Sequence, residues 1–193
     1  MASTFPFYFQ LGFQHIIDWA ALDHLLFLLA LCAGYAWTDW RRVLLLITAF
    51  TLGHCLTLLV AGLDLVRVPT AAVELLIPLT IVATAAYNLW PRKHGQGWAR
   101  YATALCFGLI HGLGFSNTFR ALLFPDEQDL LLQQLLAFNI GIETGQVLVV
   151  GGILLLAYLA QAHLQLTART WTLLLSVAAL APALVMVVER SGF

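Results

Sequence analysis

The stretch His15-Ile-Ile-Asp18-Trp-Ala-Ala-Leu-Asp23-His24-Leu-Leu-Phe-Leu-Leu-Ala-Leu31 decides how the chain is read. Two histidines and two carboxylates stand at the head of a lipid-soluble run. Titratable groups are expensive inside a bilayer, so they are rare there and by default mark function. Outward from this stretch, isolated polar residues recur in apolar sequence at His54, Glu74, His111, Asn139 and Glu143.

Of the 193 residues, 61% are hydrophobic and only 10% charged, with a mean hydropathy of +0.88. A soluble domain carries about 25% charged residues, so this chain could not clothe itself in polar surface. It reads as all-α, a polytopic membrane helix bundle with one domain over 1–193 and the lipid bilayer as its solvent. A net charge of -1 with no basic patch excludes a nucleic-acid partner. Cys32, Cys55 and Cys106 lie in apolar runs without CxxC spacing and read as small buried hydrophobes. The first ten residues contain no Lys or Arg and no cleavage site, so they do not read as a secretory signal.

About six spans follow from the apolar runs, near 19–37, 43–62, 70–90, 101–123, 132–159 and 171–188. An aromatic lead-in with Phe5, Phe7, Tyr8, Phe9 and Phe13 precedes them and reads as an N-terminal interfacial segment. Arg41, Arg42, Arg92, Lys93, Arg100 and Arg169 follow odd-numbered spans, whereas Arg67, Arg120 and Arg190 lie on the opposite side. The positive-inside rule then makes the first set cytoplasmic, with both termini periplasmic in a bacterial inner membrane. No clear repeat stands out; Gly53-His54 and His111-Gly112 are a faint echo.

With this topology, a rise of about 1.5 Å per residue puts every strongly polar group between the midplane and the outer face. Below His54 and His111 the inner half reads as almost wholly apolar, apart from Thr48, Asn88 and Thr103. Faces agree: Asn139, Glu143 and Gln146 share one helical stripe, and Thr48, Thr51, His54 and Cys55 another. Gly108 and Gly112 leave room for a close neighbour beside His111.

Several imidazoles with a carboxylate make a ligand set for a divalent transition metal. His24, His54, His111, Asp23 and Glu143 are the candidate ligands from depth and face. Asp18, Thr51, Glu74, Asn139 and Gln146 are candidates for orienting them. Each also has a plainer reading. A single membrane histidine can simply bond a neighbouring helix, Glu74 suits a solvated helix start, and His15 with Asp18 suits an interfacial polar face.

Four ordered motifs add a resemblance. Leu11-Gly-Phe-Gln-His15 through Asp23-His24-Leu-Leu-Phe27, Ile47 to Thr57 around Gly53-His54, Phe107-Gly-Leu-Ile-His111-Gly-Leu-Gly-Phe115, and Phe138-Asn-Ile-Gly-Ile-Glu143 are similar to the HupE/UreJ membrane proteins. The resemblance covers about residues 11 to 150 and looks most like a short branch of that family. It implies a secondary nickel or cobalt permease. It also implies that His15, Asp23 and His24 form a first-helix metal motif, with His54, His111 and Glu143 completing the polar lining.

Two other functions stay open at this level. One is an intramembrane zinc-type hydrolase acting on a lipid or membrane peptide, with Glu143 or Asp23 as general base. The other is a metal-binding membrane subunit without turnover. The metal is nickel, cobalt or zinc, and a homo-oligomer is compatible with all three readings.

Overall fold

A computed structural model of the chain describes residues 4–19, 22–90, 97–122 and 130–192. The basic loop residues Arg92 and Lys93 and the acidic stretch 125–129 lie outside the described residues. Seven α-helices make up the described chain: α1 Thr4–Ile17, α2 Leu22–Cys32, α3 Trp40–Gly62, α4 Thr70–Leu89, α5 Ala99–Leu122, α6 Leu131–His163 and α7 Ala168–Arg190. Every helix carries a long apolar run, and their ends follow local chemistry. Thr167 accepts from the Thr170 amide to cap α7, Pro69 precedes α4, and Asp64 turns the chain after α3 with φ 57°.

Four helices, and a fifth span if α1 and α2 count as one, are long and apolar enough to cross a membrane. The expected first span near 19–37 is corrected. α2 has 11 residues, about 16 Å of helix against a hydrocarbon core of about 30 Å. It meets α1 at a 66° bend, the geometry of a broken span or a re-entrant loop. The aromatic lead-in is a helix: α1 buries Gly12 and Ile16 against α6 and Tyr8 against Phe119 and Leu122 of α5, while Phe5 and Phe7 face outward. α5 carries Arg100, His111, Ser116, Asn117 and Arg120 and is not among the apolar spans.

Contacts fix the relative directions. Asn117 donates to Thr70 Oγ1 at 3.0 Å, and His111 meets Thr80, so α4 and α5 run antiparallel. Arg169 donates to the Asn88 carbonyl and Arg190 to the Glu74 carbonyl, which sets α7 antiparallel to α4. Glycine contacts make α3 parallel to α5, and α1 parallel to α6. Arg67 and Arg120 both bond the Asp64 carboxylate at the α3–α4 turn, and the Arg67 hydrogen bonds hold that carboxyl below its usual range. Inside α4, Pro78 removes a backbone donor; Thr80 donates to the Ile77 carbonyl at 2.7 Å and Thr84 to the Thr80 carbonyl at 2.8 Å.

Candidate metal centre

The α1–α2 bend carries His15 and His24 to the same point, because a straight helix would have kept them over two turns apart. Their rings lie 4.5 Å apart between centroids. α3 adds His54, with ring centroids 5.8 Å from His15 and 6.0 Å from His24. One nitrogen from each of the three falls within 4.8 Å of the other two. α5 adds His111, whose ring lies 5.1 Å from that of His24. His54 is 0% exposed, His111 1% and His24 4%.

The rings are bedded in aromatics rather than in polar partners. Phe115 lies 4.3 Å from His15, Phe50 lies 5.1 Å from His111, and Phe138 stacks on His54. Among the described residues, His15 Nε2, both nitrogens of His24 and both of His54 are buried without a hydrogen-bond partner. A buried unsatisfied polar atom costs about 1–3 kcal/mol, and native folds rarely keep one without a reason. Five such nitrogens in one pocket are unpaid unless something outside the chain binds them.

His111 is poised differently. Thr80 has one hydroxyl proton and two neighbours, the Ile77 carbonyl at 2.7 Å and His111 Nε2 at 2.9 Å. With that proton on Ile77, Thr80 accepts from His111 Nε2–H and His111 Nδ1, buried and without a partner, is left as a lone pair. Thr80 was not read from the sequence as part of the site; its position two residues after an intrahelical proline was the available signal.

Asp23 supplies the nearest negative charge. Its Oδ1 lies 3.4 Å from His24 Nδ1, and Arg190 at 3.8 Å from Oδ2 balances it from α7. Glu143 stands apart from the three-histidine group and receives the Thr48 hydroxyl proton. This places its carboxylate beside Thr48, about 9 Å nearer the start of α3 than His54. α6 has 33 residues, about 50 Å of helix.

The remaining candidates scatter. Thr51 and Gln146 meet at 2.8 Å one turn from His54. Asn139 donates to the Leu135 carbonyl on its own helix and leaves Oδ1 without a partner. Glu74 is exposed in the second turn of α4, where its carbonyl accepts from Arg190. Asp18 is exposed just past α1. A separate cavity of about 350 Å³ opens beyond Phe27, with Tyr35, Asn88, Arg100 and Thr103 among its walls.

Imidazole nitrogens gathered within 4.8 Å of one another, with a carboxylate alongside, form a donor set for nickel, cobalt, copper or zinc. A tetrahedral site with nitrogens about 2.1 Å from the metal needs nitrogen separations near 3.4 Å. The His15–His24–His54 donor atoms, within 4.8 Å of one another, stand at most about 1.4 Å wider than that. A family model described as HupE / UreJ protein matches residues 1–190. No curated protein and no solved structure matches the chain.

Proposed function

The chain belongs to the HupE/UreJ family, and from that premise we propose that it is a membrane permease for a divalent transition metal of the nickel or cobalt type. The observation that supports this reading is the group of orphaned ring nitrogens on His15, His24 and His54. The cargo ion would dock there as substrate. His111 Nδ1 and the Asp23 carboxylate stand beside it, one as a fourth donor and the other as charge compensation.

A permease must bind its cargo well enough to select it and loosely enough to release it. Three features fit that need. The donors are spread up to 4.8 Å apart rather than locked at bonding distance. They come from separate elements, α1, α2 and α3. The charge of Asp23 is shared with Arg190.

The test is radiolabelled nickel uptake into proteoliposomes, with His54→Ala as comparison. The expected result is saturable uptake by the wild type and uptake at least about tenfold lower in the variant, the signature of a lost binding contribution above about 1.4 kcal/mol. Stoichiometric metal held without flux would reject the permease in favour of a metalloenzyme or a metal-binding subunit.

A further inference from the structure

Two helix pairs in this fold are locked by the same glycine contact, register for register. In α1·α6, a Cβ on Gly12 would fall 2.0 Å from the Phe138 carbonyl oxygen and 3.1 Å from the Ile142 nitrogen. In α3·α5, a Cβ on Gly53 would fall 2.2 Å from the Leu105 oxygen and 3.0 Å from the Leu109 nitrogen. The reciprocal contacts match too. A Cβ on Gly141 would fall 2.1 Å from Phe9 oxygen and 2.8 Å from Phe13 nitrogen, and one on Gly108 2.0 Å from Phe50 oxygen and 3.1 Å from His54 nitrogen. One turn later, a Cβ on Gly145 would meet the Ile16 Cβ at 3.1 Å, and one on Gly112 the Thr57 Cβ at 2.9 Å.

The sequence carries the same duplication. Phe9-Gln-Leu-Gly12 corresponds to Phe50-Thr-Leu-Gly53, and Gly141-Ile-Glu-Thr-Gly145 to Gly108-Leu-Ile-His-Gly112. Each pair is parallel inside itself, because the contacts advance together along both helices. The two pairs run in opposite directions. α5 is antiparallel to α4, α4 is antiparallel to α7, and α6 turns back into α7 through residues 164–167. So α3·α5 crosses one way and α1·α6 the other, which is the relation of an inverted-topology repeat.

The histidines divide along that line. His15 belongs to the α1·α6 pair, His54 and His111 to the α3·α5 pair, and His24 lies on α2 beside both. The pairs also meet along an α3–α6 seam that is polar. Thr51 meets Gln146 at 2.8 Å, and Thr48 donates to Glu143. Gln146 is 0% exposed, and one end of its amide has no partner. Thr51 has one proton for two acceptors, Ile47 oxygen and the Gln146 amide. With that proton on Ile47, Gln146 turns its NH₂ to Thr51 and leaves its carbonyl oxygen free for a cation.

We infer that the chain is an inverted repeat whose two glycine-locked pairs rock against each other about the histidine cluster. Cargo leaves that cluster along the α3–α6 seam, past Thr51 and Gln146 to Thr48 and Glu143. This rests on the permease reading and gives it a route. The stations lie about 4.5 Å and about 9 Å from His54 along α3, on the side of the helix start. Glycine contacts with backbone make each pair rigid, whereas a few side-chain hydrogen bonds across the seam can be exchanged for bonds to a passing ion or to water.

The test is a reversible cross-link across the seam, compared with one inside a pair. The full chain, with Cys32, Cys55 and Cys106 changed to alanine, receives Thr51→Cys and Gln146→Cys and is bridged by a short bifunctional thiosulfonate. A second chain receives Ile16→Cys and Gly145→Cys, which join α1 to α6 within one pair. Nickel binding is measured in detergent and nickel uptake in liposomes.

The seam bridge is expected to cut uptake at least about tenfold, with recovery on reduction, while binding stays within about twofold. The bridge inside the pair is expected to leave uptake within about twofold of that of the same chain before bridging. Uptake already lost before bridging, with binding intact, supports the same route. Unchanged uptake in the bridged seam, or an equal block from the bridge inside the pair, overturns the inference while leaving the permease reading in place. Wild-type protein that binds nickel and passes none overturns both.

Discussion

His54 is fully buried, stacked on Phe138, and bonded to nothing among the described residues. Its two ring nitrogens cost stability as long as nothing from outside the chain bonds them. His54→Leu is therefore expected to leave the thermal stability of metal-free protein unchanged or raised. His111→Ala differs, since it removes the partner of Thr80 and leaves a hole among Phe27, Phe50 and Thr80. It is expected to cost about 2–4 kcal/mol. Thermal unfolding in detergent with chelator checks both variants. His24, His54 and His111 were legible as candidates because an imidazole in an apolar helix is conspicuous. What the sequence could not carry was the difference between a bonded and an unbonded ring, which depends on Thr80 arriving from another helix.

At the scale of elements, glycine decides the packing. Any side chain at Gly12, Gly53, Gly108 or Gly141 would strike a neighbouring backbone carbonyl at 2.0 to 2.2 Å. Alanine at each is expected to destabilise by about 1–3 kcal/mol or more, because backbone cannot move aside as a side chain can. Gly151 and Gly152 on α6 face open space, and alanine there is expected to gain up to about 1 kcal/mol from helix propensity. Melting the six variants side by side checks the contrast. The boundaries of α3 to α7 were legible to within a few residues, since long apolar runs between polar turns leave little freedom. The N-terminal elements were not. Phe5 and Phe7 on one side of α1 suggested an interface, and the end of α1 at Ile17 was hidden by the apolar sequence Trp19 to Leu22. The glycine register was present in the letters as Phe9-Gln-Leu-Gly12 and Phe50-Thr-Leu-Gly53. It gained meaning only when the partner glycines on α5 and α6 were seen to answer it.

For the whole molecule, the account joins a buried histidine cluster to a scaffold of two opposed helix pairs. A ligand that binds the folded state alone stabilises it by RT ln(1 + [L]/Kd), about 2.7 kcal/mol at a hundredfold excess over Kd. Nickel is therefore expected to raise the melting temperature of the wild type, and a chelator to reverse the rise. Neither should move His54→Leu. Calorimetry of the purified protein with and without nickel checks this. Membrane class and the gathering of polar groups could be argued from composition and helix counting. The pairing of Glu143 with Thr48 could not, because it depends on how α6 crosses α3.

The most direct measurement is X-ray absorption at the nickel edge on nickel-loaded protein. A first shell of nitrogen near 2.1 Å, with the outer-shell scattering of about three imidazoles, is expected in the wild type. About one imidazole fewer is expected in His54→Ala, within the same chemistry. A shell of oxygen without imidazole scattering, or a spectrum unchanged in the variant, would contradict the assignment of His15, His24 and His54 as the cargo site.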